Sequence, residues 1–277
     1  MSGEQFPFLM HSMLALTSMH DRYLSGSHAQ SQPASEAFHH YQSIALFNAR
    51  LATPVRPSPE ESAALWVTAI LLGTTTFCRI EATRPEEAWP LNLPSTSDLS
   101  WLAMSEGKTN LWKMTQPFTS DSQYQGLVPP NTKGLLAKSS TQFELSVLPV
   151  GLVEICNLDI VTDEKNPYHT VATTLANSMN IDYISRLLTF LCLISNLPPE
   201  CKLLLKEKDP RALLLLAYWY AKLCEVELWW MHPRASLEGH AICIYLRRYY
   251  PDDLKLQDTM RMVWASIHSR PLNYGNF

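Results

Sequence analysis

Three observations predict an all-α fold. Apolar residues recur at three- and four-residue steps in both the first and last thirds of the chain, and proline, serine and aspartate stand where helices begin. No stretch outside the middle sustains an alternating pattern with β-branched enrichment. With 277 residues and 46% apolar content the chain can bury a full core. The reading is one multi-helix domain over 1–277 with a long irregular loop in the middle.

The first helix opens on Pro7, whose fixed φ suits a helix start, and Leu9, Met13, Leu16, Met19 and Tyr23 are its expected apolar stripe. A polar break from Gly26 to Pro33 precedes a second helix carrying Ala37, Phe38, Tyr41, Ile44 and Ala45 up to Pro54. Ser58-Pro59-Glu60-Glu61 joins an N-cap hydroxyl, a first-turn proline and an acid three residues on. This combination satisfies orphan amides and complements the helix dipole, so the third helix should run from 59 to about Cys78.

From Arg84 to Tyr168 prolines punctuate the pattern, and short helices are expected only near Asp98–Met104 and Lys108–Met114. Residues 115–170 read as an irregular or variable insertion, with Thr119–Thr141 an extended loop or a lid. The Phe143–Ile160 stretch fits a short helix or a strand. Thr173–Leu197, Pro199–Lys208, Pro210–Met231, Pro233–Tyr250 and Asp252–His268 read as helices, most of them bounded by proline, threonine or aspartate signals.

Composition excludes several classes of function. The net charge is −4 and basic residues cluster no further than pairs such as Arg247-Arg248, so this chain is not expected to bind nucleic acid directly. No run of consecutive apolar residues reaches the ~18 needed to span a bilayer. The N-terminus lacks the basic region and small-residue cleavage site of a signal peptide. Cys78, Cys156, Cys192, Cys201, Cys224 and Cys243 form no C-x-x-C pair and read as small apolar fillers in a reducing compartment.

Metal and cofactor signals are weak. His11, His20, His39, His40, His232 and His240 form no H-x-x-x-H pair and no Glu-x-x-His repeat, so no metal site is expected. Asp252-Asp253 with Asp258 has the residue types of a magnesium-diphosphate motif at the wrong spacing, and helix capping explains the pair better. No nucleophile elbow, phosphate-binding glycine loop or dinucleotide fingerprint is present, and no cofactor is expected.

Several segments together resemble the effector domain of fungal zinc-cluster transcription factors, nearest to the sterol uptake control protein type. They are Phe8-Leu9-Met10-His11-Ser12-Met13-Leu14-Ala15-Leu16-Thr17-Ser18-Met19-His20, Ala37-Phe38-His39-His40-Tyr41 leading to Leu51, and Ser62-Ala63-Ala64-Leu65-Trp66-Val67. Leu203 to Leu213 and Trp229-Trp230 with Ala241-Ile242-Cys243 continue the match. It covers most of the chain outside roughly 115–170 and the extreme C-terminus. That family carries a six-cysteine zinc cluster before the effector domain, whereas here the effector-like sequence begins within ten residues of Met1. The expectation is therefore an effector domain without its DNA-reading module, or one whose upstream exon is absent from this sequence.

The resemblance implies a pocket for a rigid apolar ligand, a sterol or terpenoid, near Leu216, Tyr218, Trp219, Tyr220, Trp229, Trp230 and Arg234. Aromatic rings would supply apolar area and a polar tip for a hydroxyl; ordinary helix packing would use the same residues. If helical, Trp229 and Trp230 point about 100° apart and cannot both face one cavity. Arg234 and Glu238, four apart at a helix start, read as a surface ion pair worth at most ~0.5 kcal/mol, with a polar anchor at the pocket mouth as the alternative.

Three functions follow as expectations. The first is a regulator of gene expression in sterol or secondary metabolism. Occupancy by the metabolite would govern association and, as in the resembled family, residence in nucleus or cytoplasm. The second is a cofactor-free enzyme of fungal secondary metabolism, its pocket holding a reactive conformer for a cyclisation or pericyclic step. His20, Tyr218, Tyr220 or Glu225 would supply its polar groups, although His20 also reads as a core histidine. The third is a ligand-free partner subunit, a homodimer or a heterodimer with a zinc-cluster regulator.

Overall fold

The computed structural model describes residues 5–26, 32–96, 98–115, 145–158, 166–179, 197–226 and 228–269. Within these the chain is helical, with no strand. In order come α1 (Pro7–Leu24), α2 (Ala34–Leu51), α3 (Pro59–Cys78), a 3-10 turn (Pro85–Glu87) and α4 (Ser100–Thr115). A second 3-10 turn (Leu145–Val147) is followed by α5 (Val150–Ile155), α6 (His169–Met179), α7 (Pro199–Lys206), α8 (Pro210–Cys224), α9 (His232–Tyr249) and α10 (Leu254–His268). The helices gather into two compact units, one built on α1 to α4 and one on residues 80–98 with α5 to α10.

In the first unit α1 lies along α2, and α3 packs against both and against α4. Phe6, Phe8, Phe47, Leu65, Leu72 and Leu111 form its core. The buried line of α1 is Phe8, Ser12, Ala15 and Met19; it keeps Met19 of the expected stripe but otherwise runs one residue earlier, and Met13 is exposed. The buried line of α2 is Glu36, Ser43 and Phe47, while Phe38 and Tyr41 face solvent. Small residues explain the shift. Ser12, Ala15 and Ser43 let the two backbones approach, and Ser43 Oγ donates to the Phe8 carbonyl at 3.0 Å. Polar groups stand at the ends of this unit. Arg22 grips the buried Glu36 with two bonds of 3.0 and 3.2 Å, and Arg50 grips Glu61 with bonds of 2.5 and 2.7 Å.

The start of α3 is as the sequence dictates: Ser58 Oγ accepts from the Glu61 amide at 3.2 Å with Pro59 in the first turn. By length and composition alone this helix of 20 residues is apolar enough to cross a membrane, because threonines and a glycine dilute it without adding charge. Half of that apolar window is buried inside the protein, as in a core helix. The α4 segment is one helix rather than two, running through Gly107 while packed on α3.

In the second unit α8 is the central element. Ala212 to Ala221, Leu223 and Cys224 are all buried, the pattern of a helix covered on every side. It packs mainly on α9 and α10 and also meets α5, α6 and α7. Gly239 allows the close approach of α9: a Cβ there would lie 2.7 Å from Ile267 Cδ1 and 3.3 Å from Tyr220 Cβ. Burial pushes the thiols of Cys156, Cys224 and Cys243 up to about 12, which makes them inert fillers.

Two helices of this unit end in the same device. Lys208 takes φ 58°, its amide donates to the Leu205 carbonyl and the Asp209 amide to the Leu204 carbonyl. Asn157, with φ 51°, closes α5 in the same way. This is the left-handed Schellman cap. At the next residue Asp209 Oδ1 accepts from the amides of Arg211 and Ala212, both at 3.0 Å, which starts α8.

Several boundaries differ from the sequence reading. The α8 helix stops at Cys224, with Glu225 in the C-cap position, instead of continuing to Met231. The 115–170 segment holds a 3-10 turn, α5 and the start of α6, while Thr119–Thr141 lies outside the described residues. The Thr173–Leu197 helix is described as α6 only to Met179. In α10 Asp253 is the cap, its Oδ1 accepting from the Leu256 amide at 3.0 Å.

Candidate functional site

Each unit offers a feature beyond ordinary packing. In the first, α2, α3 and α4 line an apolar cavity of about 250 Å³ that opens to solvent. Phe47, Leu72, Ala69 and Leu111 are its buried wall, while Ile44, Asn48 and Leu51, spaced at helical steps along α2, form its exposed rim. The sequence builds this space from small residues on α3 and α4: Ala69, Ala103 and Gly107 stand where larger side chains would fill it. Asn48 and Thr76 are its polar lining, and the Thr76 hydroxyl already donates to the Leu72 carbonyl at 2.8 Å. Such a space receives an apolar body with one polar end.

In the second unit Tyr220, Arg234 and Glu238 meet in the interior. The Tyr220 hydroxyl donates to one carboxylate oxygen of Glu238, and Arg234 donates to the other. Tyr220 has no exposed surface, and both charged residues are buried. Arg234 and Glu238 are therefore not the surface pair expected from their spacing. On α9, Glu238 shares a line of four-residue steps with Ile242 and Leu246, both buried, so the pair sits on the core face. Burial pushes the Glu238 carboxyl above the ordinary range, against the pull of Arg234 and the hydroxyl bond. Burial, with the nearby Glu238 charge, likewise raises Tyr220 well above a normal phenol. Enclosed in this way, the three groups clasp α8 to α9.

The other residues singled out from sequence are dispersed. Leu216, Tyr218 and Trp219 are buried on α8, with the Trp219 and Tyr220 rings 5.1 Å apart. Lys222 Nζ lies 5.4 Å over the Tyr218 ring and also bonds Glu225 at 2.6 Å. Trp229 and Trp230 are half-buried in the turn before α9, so the helical argument for their divergence does not apply. His20 belongs to the first unit, half-buried and stacked on Tyr23 at 6.4 Å. Of these residues the structure joins Tyr220 and Arg234, through Glu238.

The sequence reading missed the cavity and a contact between two histidines. Its lining residues come from three helices, and a gap left by small side chains has no motif. His11 Nδ1 and His39 Nδ1 lie 2.8 Å apart across α1 and α2. The sum of the helix pairings brings them together, not their spacing of 28 residues in sequence. Among the described residues no group of three His, Cys, Asp or Glu side chains converges as a metal site. No protein-family model, curated protein or solved structure matches the chain.

Proposed function

We propose that this protein is a helical effector module that binds a small apolar metabolite in the cavity between α2, α3 and α4 and passes its occupancy on to gene expression. The observation that carries the reading is that cavity: apolar walls, two polar groups and a rim on α2. The regulatory output rests on the resemblance to fungal effector domains. At about 250 Å³ the space is below the usual ~300–1,000 Å³ of drug-sized sites. This favours a compact terpenoid or a medium-length acyl chain over a whole sterol. An enzyme would need an acid or base at the cavity wall, and the described lining offers an amide and a hydroxyl.

The test is a panel of sterols, terpenoids and medium-chain fatty acids followed by native mass spectrometry and thermal shift. The wild-type chain should form a one-to-one adduct and melt at higher temperature with at least one compound. Ala69→Leu, which adds bulk to the cavity wall, should stay helical and lose the response. No adduct with any compound, or an equal response from the filled variant, overturns the proposal.

A further inference from the structure

The histidine pair on α1 and α2 is independent of that cavity. His11 Nδ1 and His39 Nδ1 face each other at 2.8 Å, their ring centroids 5.1 Å apart and the planes tilted by 34°. Both rings are half-buried, and the half-exposed Phe38 packs edge-on against each, at 5.9 Å from His11 and 5.3 Å from His39. The pair is thus walled on one side and open to solvent on the other. Two nitrogens facing at this distance share one proton when both rings are neutral or one is charged.

The separation also fits a metal. Two nitrogens bonded to one ion at about 2.0 Å stand about 2.8 Å apart when they are cis in a square plane, and about 3.3 Å apart at a tetrahedral angle. The observed 2.8 Å matches the first of these separations. We propose that His11 and His39 form a two-imidazole site for a divalent ion of tetragonal preference, copper(II) before nickel(II), with water in the remaining positions. The ion takes the place of the shared proton and staples α1 to α2. Imidazole nitrogen is a donor suited to both metals, and two ligands held in place give a chelate that a single surface histidine does not.

The experiment uses the full chain without an affinity tag, titrated with copper(II) chloride by calorimetry and followed by electron paramagnetic resonance. One ion should bind per chain with coupling to two imidazole nitrogens, and copper should raise the melting temperature. His11→Asn and His39→Asn should each weaken binding about 100-fold and abolish the thermal gain while retaining the far-ultraviolet spectrum. His40→Asn should leave both unchanged. Equal binding by wild type and the His11→Asn/His39→Asn double variant, or a spectrum with one nitrogen ligand, overturns the site.

Discussion

Glu238 carries two demands on a single carboxylate. It must neutralise the buried guanidinium of Arg234 and accept the proton of the Tyr220 hydroxyl, with all three groups out of water. Removing the charge and keeping the shape isolates the first demand. Glu238→Gln leaves Arg234 buried without its counter-charge, which costs about 3 kcal/mol in similar cases. Urea unfolding should show that loss as a lower midpoint with an unchanged slope. Replacing the set together, as Tyr220→Phe/Arg234→Met/Glu238→Leu, should restore most of it, because an apolar core needs no compensating charge. A Glu238→Gln protein within about 1 kcal/mol of wild type would mean that the cluster is solvated. The sequence contains this cluster only indirectly: an Arg and a Glu four apart usually decorate a surface, and the clue here is that Glu238 continues the line of Ile242 and Leu246.

At the scale of helices, Asp209 is the joint between α7 and α8. It closes the Schellman cap of one helix through its amide and opens the next through its side chain. The Tyr168 hydroxyl adds a third bond to the same oxygen, 2.9 Å away. Asp209→Ala removes the N-cap and leaves the Tyr168 hydroxyl without this acceptor, for a loss of about 2 kcal/mol. Tyr168→Phe should cost about 1 kcal/mol. Because both act on one oxygen, the double variant should lose less than the sum, and strict additivity in a denaturant cycle would show that the bond to Tyr168 contributes nothing. Helix starts such as Asp209-Pro210 and Ser58-Pro59 are legible because a cap is made by neighbours in sequence. The faces of α1 and α2 are not, since close packing favoured Ser12, Ala15 and Ser43 and left Phe38, Tyr41 and Met13 outside. The end of α8 was equally hidden: nothing apolar breaks the run before Trp229-Trp230, and the helix stops at an acid.

For the whole molecule the all-α character follows from summed periodicity, whereas the grouping of helices depends on contacts between distant segments, such as α4 returning to α3. Acid response is likewise a sum over both units. His11, His40 and His240 all lie below the ordinary imidazole value of 6.5, with desolvation the largest cause at each. The unfolded chain therefore binds protons at these positions before the folded one does. Stability must fall as pH drops from above 6.5 toward the lower folded values. Below that window the carboxylates act in the same direction, since Glu61 is held low chiefly by its bond to Arg50, and Glu87 is held at about 2 chiefly by Arg84. Their stabilisation is present above the unfolded carboxylate range and is lost on further acidification. Three histidines titrate first, so the melting temperature should already decline between about pH 7 and pH 5, before the carboxylates protonate. His240→Asn should flatten that part of the curve. A melting temperature constant across it would show that these imidazoles titrate in the folded protein as they do in the unfolded chain.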